Sequence, residues 1–517
     1  MVIPSAVSGS QVEGARASQA YPENWHSIWD RAQYAIYALA LVVSISLWFL
    51  AIRSPLWLDE TSSFWQISAG FWQIFSRRGQ VSAAYPYILW LTTRITGTSE
   101  VALRIPSILA MLAAAYLLYR AARELFDRDV ALIVVVFFCA HPIVVFASID
   151  ARPYAFGALA ITAAIFLLVR LRHSNSNWLA AAFGFAAAVS THFQLLFGSV
   201  LLVLAVCFLV AKARDVKTLA RQAAIAFGTF ALVFLPVAPD LLQLFRYRQA
   251  YVFERTTPNL VELGSTLAPV WSVFIFSAIV LIAAATKKVD WQNWPDGWQF
   301  LVCASLGLVP ILILFGVSAL TPTNIFVARY RLIAIPGIAL WWGWLVSRID
   351  SRILRVLFCV AVVTTAAYRK LRSEDPNQHA YTWKYALELA EKSASSDNAP
   401  VLICSDFPSS DYFPIPVGAT VKNTSFFTQL SYYKLSVPVV GLPRTLNDQA
   451  MQIGSGFVHK AMQHQQRFLA LANRPSLETL RWLRKIASPT YEARILGQPD
   501  GILVLEFRPR ASAPEAR

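Results

Sequence analysis

Long apolar stretches recur along the whole chain, and they constrain its fold more than any other feature of the sequence. A transmembrane helix needs about 20 predominantly apolar residues, and windows of this kind occur about eleven times. The 517 residues are 56% hydrophobic and 15% charged, which is more apolar surface than a soluble core of this length can bury. We therefore predict a polytopic α-helical membrane protein. Its predicted spans are residues 32–52, 100–119, 130–148, 153–171, 178–190, 193–211, 222–239, 269–286, 299–319, 331–347 and 353–368.

The positive charges of the chain predict its orientation in the membrane. The net charge is +15, but a nucleic-acid-binding protein should gather such charge on one domain. Lys and Arg instead cluster in alternate short loops, as they do on the cytoplasmic side of membrane proteins. A cytoplasmic N-terminus puts all of these clusters inside and leaves Asp59, Asp150, His192 and Arg329 outside. The sequence thus predicts no nucleic-acid partner. The cytoplasmic clusters lie in loops 120–128, 170–172, 212–221, 287–288 and 348–355.

Composition divides the chain into three predicted parts. Residues 1–31 lack the apolar core of a signal peptide, so we predict a cytoplasmic N-terminal segment. Residues 32–370 form the predicted transmembrane domain. Residues 371–517 mix amphipathic stretches with short apolar runs, which is typical of a small α/β domain. An odd number of spans places this C-terminal domain outside.

Two adjacent carboxylates, Asp59 and Glu60, follow directly after the first predicted span. One carboxylate at the bilayer centre costs roughly 2.5 to 3.5 kcal/mol. The pair therefore indicates a wet cavity, an interface or a bound cation, and a site at the membrane surface is the first hypothesis. A structural alternative is that both residues cap the following helix and interact favourably with the positive end of its dipole.

The sequence contains no Walker loop or Rossmann glycine pattern and no metal-ligand spacing of cysteines. An enzyme that works on the external face, where nucleotide-activated substrates are scarce, would more plausibly take its donor from the membrane. A lipid-phosphate donor fits that constraint.

Five short motifs, in this order, resemble those of bacterial polyprenyl-phosphate-dependent glycosyltransferases. The likeness covers roughly residues 32 to 370, and each motif alone is weak. The related enzymes are protein O-mannosyltransferases and the aminoarabinose and galacturonic acid transferases of lipid A. The motifs are Trp57-Leu58-Asp59-Glu60, Ser99-Glu100-Val101-Ala102-Leu103-Arg104, Asp150-Ala151-Arg152-Pro153-Tyr154-Ala155, Thr191-His192-Phe193 and Ala328-Arg329-Tyr330.

This resemblance implies a C-type glycosyltransferase fold with a site that opens to the periplasm, in the bacterial plasma (inner) membrane. It implies transfer of a sugar from a polyprenyl-phosphate donor to a lipid, glycan or protein hydroxyl, with membrane lipids as further partners. Lipopolysaccharide or another cell-envelope glycan is the expected context. Neither the sugar nor the acceptor can be read from the sequence.

The resemblance also implies that Asp59 is the catalytic base. An acceptor hydroxyl that attacks an anomeric carbon must lose its proton, and a carboxylate within hydrogen-bond reach can accept it. In an inverting displacement the base and the leaving phosphate flank opposite faces of the sugar. Glu60 would orient the sugar or the acceptor, or help to hold a divalent cation, which is the one candidate cofactor.

Asp150, Arg152 and Tyr154 open the fourth predicted span. Asp150 stands where the related enzymes usually have Glu, so we assign it to the catalytic group without an exact role. Arg152 has two interpretations: a planar fork that binds the donor phosphate, or an ion pair that holds Asp150 against the Asp59 loop. Tyr154 would hydrogen-bond the phosphate, or anchor the helix at the membrane interface.

Arg329, Tyr330 and Arg331 lie at the external end of the tenth predicted span, where the positive-inside rule disfavours arginine. An anionic lipid phosphate would compensate these charges, and preorganised cations stabilise a departing phosphate. The alternative is that the arginines extend to the membrane interface.

His192 and Tyr85 complete the predicted substrate-binding set. His192 would contact the acceptor, the phosphate or a metal, or serve as a hydrogen-bonded structural group. Related enzymes often carry a His-Pro-Pro-Leu-Tyr-like stretch before the second span, whereas this chain has Tyr85-Pro86 without the histidine. That difference weakens the case for a metal, because Tyr85 offers only a neutral hydroxyl.

Two other classes of protein remain open on the sequence alone. A transporter or lipid flippase would also be polytopic, but it should show internal repeats and polar residues at mid-bilayer, and no repeat is clear here. A non-catalytic assembly protein would use the external domain for binding.

Overall fold

A computed structural model describes most of the chain. The described residues are 23–77, 84–213, 215–246, 257–268, 270–286, 297–321, 324–372, 382–415, 421–422 and 424–510. The predicted segment 1–31 therefore falls largely outside them.

The described residues of the first part of the chain lie mostly in helices. After the long first helix and a loop, Trp57 caps a short helix, α2, which carries the adjacent carboxylates. The helices of this part are α1 (Glu23–Phe49), α2 (Leu58–Ser68), α3 (Ile74–Arg77), α4 (Tyr85–Thr96), α5 (Glu100–Leu125), α6 (Arg128–Ala140), α7 (Pro142–Ser148), α8 (Tyr154–Arg172), α9 (Asn177–Phe193), α10 (Gly198–Lys212), α11 (Val216–Phe234), α12 (Ala238–Arg246), α13 (Leu260–Leu267), α14 (Val270–Ala285), α15 (Gly297–Leu320), α16 (Ala328–Arg331), α17 (Ile335–Ser347) and α18 (Arg352–Leu371).

Six of the described helical segments are long and apolar enough to cross a membrane, or eight if each of two bent helix pairs counts as one span. Large apolar side chains on these helices face outward, such as Leu39 (63% exposed), Leu232 (73%) and Leu281 (70%). Such exposure fits contact with lipid. Each predicted window falls on helix, but helices such as Asn177–Phe193 (17 residues) and Ile335–Ser347 (13 residues) are shorter than a full span. The multi-pass helical fold is thus supported, and the count of eleven stays a prediction.

The bend between α6 and α7 brings the chain to the loop that contains Asp150. His141 is extended (φ −64°, ψ 129°) because Pro142 follows it, and the residue before proline avoids helical geometry. The two helices therefore meet at 66°. His141 Nδ1 accepts a hydrogen bond from the Ile143 N–H and caps α7.

The backbones of α15 and α17 pack closely near the start of α17. A Cβ at Gly337 would lie 2.3 Å from the carbonyl carbon of Leu306, so α17 and α15 touch only because this residue is glycine. This contact positions the short α16, which contains Arg329.

The C-terminal part is a mixed five-stranded sheet with helices, in agreement with the predicted α/β composition. The strand order is β2-β1-β3-β5-β4; β1 is parallel to β2 and β3, and β5 is antiparallel to β3 and β4. Apolar side chains cover both faces of the sheet. The strands are β1 (Val401–Cys404), β2 (Val439–Leu442), β3 (Phe468–Ala472), β4 (Tyr491–Gly497) and β5 (Leu503–Pro509), and the helices are α19 (Lys384–Ala394), α20 (Gln429–Tyr432), α21 (Asp448–Gln463) and α22 (Leu477–Ala487).

The sheet domain docks on the loop that leads into α2. Trp57 and Thr382 form an isolated antiparallel bridge. The Leu56 N–H donates to the Tyr433 hydroxyl at 2.7 Å, and the hydroxyls of Thr61 and Thr428 lie 3.0 Å apart. The C-terminal domain therefore forms one side of the region around the adjacent carboxylates.

Candidate active site

Glu60 is completely buried and paired with Arg104 of α5. Arg104 Nε donates to Glu60 Oε1 at 2.8 Å and Nη2 donates to Oε2 at 2.6 Å, and both side chains are 0% exposed. Glu60 also accepts hydrogen bonds from the backbone N–H groups of Trp57 (3.3 Å) and Ala151 (2.9 Å). The carboxylate thus caps α2 and ties three segments together.

Arg104 is satisfied in the same way. Beyond Glu60, its guanidinium donates to the carbonyl oxygens of Ile52, Ser54 and Pro55 at 2.8, 2.8 and 3.2 Å. A buried ion pair is tolerated only when such extra hydrogen bonds satisfy its remaining polar atoms. In this structure Glu60 contacts protein, which favours a positioning role over the predicted contact with sugar, acceptor or cation.

Asp59 points to a different environment. Its side chain is 10% exposed, and its Oδ2 lies 3.1 Å from Nη1 of Arg329, whose side chain is 18% exposed. The Asp59 backbone carbonyl accepts a hydrogen bond from Arg152 at 3.0 Å. Two predicted site arginines, distant in sequence, therefore converge on Asp59.

Two tyrosines accompany these arginines. The guanidinium carbon of Arg152 lies 5.7 Å from the ring centroid of Tyr154, and that of Arg329 lies 5.2 Å from Tyr330. The two rings meet edge to face at 6.4 Å. Asp59 and these four residues form a compact group, which we call the arginine–tyrosine cluster.

Asp150 lies in the loop between α7 and α8 and is fully buried. Its Oδ1 accepts a hydrogen bond from Trp57 Nε1 at 3.0 Å, whereas Oδ2 has no partner among the described residues. Burial, and then the negative charge of Glu60, raise the pKa of Asp150 well above its usual range.

The remaining predicted residues fall into two groups. Tyr85 is buried beside Phe156 at 5.8 Å, and burial together with the charge of Asp150 raises the pKa of its hydroxyl. His192 Nε2 lies 2.7 Å from the carbonyl oxygen of Val233, and Arg331 donates to Thr266 of α13 at 2.6 Å. Tyr85 thus borders the site. His192 contacts α11, in line with its structural interpretation, and Arg331 contacts α13.

The sequence interpretation gave no role to several residues that build this site. Arg104 ends the second quoted motif, and an arginine inside an apolar span was the signal that could have found it. Thr382, Thr428 and Tyr433 belong to the C-terminal domain and carry no such signal. No group of three or more potential metal ligands occurs among the described residues.

Comparisons with known proteins show which chains this protein resembles. Residues 81–242 match the family described as dolichyl-phosphate-mannose-protein mannosyltransferase. No curated protein sequence matches the chain.

Solved structures show the same fold. ArnT from Cupriavidus metallidurans bound to undecaprenyl phosphate aligns with a TM-score of 0.55 at 12% identity, over 91% of this chain and 97% of that one. The apo state of the same protein gives a TM-score of 0.55 at 11% identity, over 93% and 98% of the two chains. The family match and the shared fold together confirm the predicted resemblance to the polyprenyl-phosphate-dependent glycosyltransferases.

Proposed function

We propose that this protein transfers a sugar from a polyprenyl-phosphate donor to a hydroxyl of a lipid, glycan or protein acceptor. The observation that carries the proposal is the pairing of Asp59, whose side chain is 10% exposed, with the partly exposed Arg329, beside Arg152 and next to a buried structural ion pair. The match to a mannosyltransferase family supports a lipid-linked donor.

We assign a role to each charged member of the cluster. Asp59 accepts the proton of the acceptor hydroxyl while the acceptor oxygen bonds to the anomeric carbon. The bond from that carbon to the phosphate oxygen breaks, and its electron pair leaves with the polyprenyl phosphate. Arg329 and Arg152 stabilise the charge that develops on this phosphate. This single displacement inverts the anomeric configuration.

The remaining groups orient the reactants. Tyr154 and Tyr330 hold the guanidinium planes through ring contacts of the cation–π type. Asp150, which is fully buried, holds Trp57 in the loop before Asp59 by accepting a hydrogen bond from its indole. Glu60 fixes the start of α2 through Arg104, so that Asp59 is held in place.

The proposal includes the topology predicted from the sequence. Residues 32–370 span the bacterial inner membrane about eleven times, residues 1–31 are cytoplasmic, and residues 371–517 form a periplasmic domain. The docking of the sheet on the Asp59 loop supports this placement, because both then lie on the same side of the membrane.

A transfer assay tests the proposed function. Purified protein would be offered polyprenyl-phosphate sugars as donors, with alkyl glycosides, lipid A and a serine peptide as acceptors. We expect transfer with at least one pair, and a loss of about 100-fold or more in Asp59→Asn. Asp350→Asn, an exposed carboxylate expected on the cytoplasmic side, is the matched control. Asp59→Asn turnover within about tenfold of wild type would remove Asp59 as the base.

A further inference from the structure

One end of the C-terminal sheet, where β1 and β3 finish, lies beside the Asp59 loop, and we call this end the edge of the sheet. Parallel strands β1 and β3 end at Cys404 and Ala472. Thr382, which bridges Trp57, also hydrogen-bonds Asp500, and Asp500 lies in the turn that leads into β5 at this same edge. The carboxyl ends of parallel strands are where open α/β sheets commonly bind ligands.

Asp406 lies at this edge, two residues after β1. Trp383 Nε1 donates to Asp406 Oδ2 at 3.0 Å, and Trp383 is itself 1% exposed and follows directly after Thr382. A short series of contacts therefore connects Asp406 through Trp383 and Thr382 to Trp57, which stands two residues before Asp59.

The electrostatics agree with this proximity. Burial raises the pKa of Asp406 to about 6, with Trp383 and Arg444 opposing the shift and the negative charge of Asp59 adding to it. Asp406 is half-buried, so its carboxylate is reachable from solvent. The only hydrogen bond to it among the described side chains is the one from Trp383.

We propose that Asp406 of the C-terminal domain binds the acceptor, accepting a hydrogen bond from a second hydroxyl of a sugar-like acceptor whose reacting hydroxyl faces Asp59. This inference rests on the proposed function and deepens it. A polyprenyl donor reaches the cluster from the membrane, whereas the edge of the sheet borders the site from the aqueous side. The two carboxylates then engage two hydroxyls of one acceptor, and the C-terminal domain determines acceptor specificity.

Kinetics with the alkyl glycoside and lipid A acceptors separate this role from a structural one. Asp406→Asn should raise the acceptor KM by about tenfold to a hundredfold, as expected for one hydrogen bond to a charged group. The donor KM and the thermal stabilisation by undecaprenyl phosphate should stay unchanged. Trp383→Phe should raise the acceptor KM by a smaller factor, because Asp406 loses its fixed orientation.

Glu492→Gln is the matched control, because this exposed carboxylate begins β4 at the opposite edge of the sheet. Two results would overturn the inference: an unchanged acceptor KM in Asp406→Asn, or donor and acceptor KM values that rise together. If the wild-type protein transfers sugar to none of the acceptors, the proposed function itself fails. If it transfers sugar only to the serine peptide, the function stands and the sugar-like acceptor is wrong.

Discussion

Asp59 and Glu60 are neighbours in sequence, yet they lie in two different regions of the molecule. Glu60 faces α5, where Arg104 and two backbone N–H groups surround a carboxylate that solvent does not reach. Asp59 faces the other members of the arginine–tyrosine cluster, and one of its carboxylate oxygens contacts the partly exposed Arg329. Successive residues of a helix point about 100° apart, so one turn can serve both regions.

The difference shows how a membrane protein holds a charged group ready at the edge of an apolar region. A buried ion pair contributes little net stability to a protein. Loss of one partner nevertheless destabilises the protein strongly, because the other charge is left buried without compensation. Glu60 and Arg104 therefore act as a fixed anchor, whereas Asp59 lies on a less completely enclosed side of α2.

The largest expected effect is on stability in Glu60→Gln. Arg104 would keep its charge in a fully buried place without its carboxylate, which costs about 3–5 kcal/mol. The free energy of unfolding in detergent, followed by tryptophan fluorescence, measures this loss. The double variant Glu60→Leu/Arg104→Met should lose less than the sum of the single variants. Equal stability of Glu60→Gln and wild type would contradict the anchor role.

Asp59→Asn should show the opposite pattern. Its ion pair with Arg329 is less completely buried than that of Glu60 with Arg104, so the free energy of unfolding should fall by less than in Glu60→Gln. Turnover should nevertheless fall by about 100-fold or more, because the general base is lost. Measuring both quantities on one preparation separates folding from chemistry. A stability loss as large as that of Glu60→Gln would erase the distinction between the two carboxylates.

The pH dependence of acceptor binding sharpens the comparison by adding Asp406. Its pKa is raised to about 6, so the carboxylate is mostly ionised at pH 7 and becomes protonated as the pH falls. Arg444 and Asp59 are the charged groups that act on it. Acceptor KM should therefore rise by roughly tenfold between pH 7 and pH 5. In Asp406→Asn this rise should disappear, and a profile identical to wild type would argue against the assignment.

The smallest expected effect concerns the docking of the C-terminal domain. Tyr433→Phe removes the hydroxyl that accepts a hydrogen bond from the Leu56 N–H. The unpaired N–H should lower the free energy of unfolding by about 1–2 kcal/mol. Turnover should drop modestly, since the loop before Asp59 loses one support. Tyr412→Phe, whose ring is 53% exposed, should leave both quantities unchanged.

Much of the fold could be predicted from hydrophobic patterning. The described residues of every predicted window lie mostly in helices, and the short apolar runs at 401–403 and 501–505 lie at or beside the strands Val401–Cys404 and Leu503–Pro509. The number of complete spans could not be predicted, because the bend at Pro142 and short helices such as Ile335–Ser347 alter the length of apolar windows without changing their composition.

The site could be predicted in part, for a physical reason. Asp59, Arg152 and Arg329 are charged residues at the ends of apolar spans, and their cost in such places identifies them. The ion-pair partner of Glu60 could not be predicted from the sequence. Arg104 lies 44 residues away, and the sequence does not reveal which of the two carboxylates faces α5. Asp406 and Tyr433 lie in a water-exposed domain, where charged and hydroxyl side chains are common.

The bridge between Trp57 and Thr382 also has a consequence for how the protein is made. During synthesis the ribosome must produce more than 300 further residues after the Asp59 loop before the partner strand exists. Until then, the loop before Asp59 lacks the contacts that Trp57 and Leu56 make with the C-terminal domain. The arrangement of this loop is therefore completed only when the last part of the chain has folded.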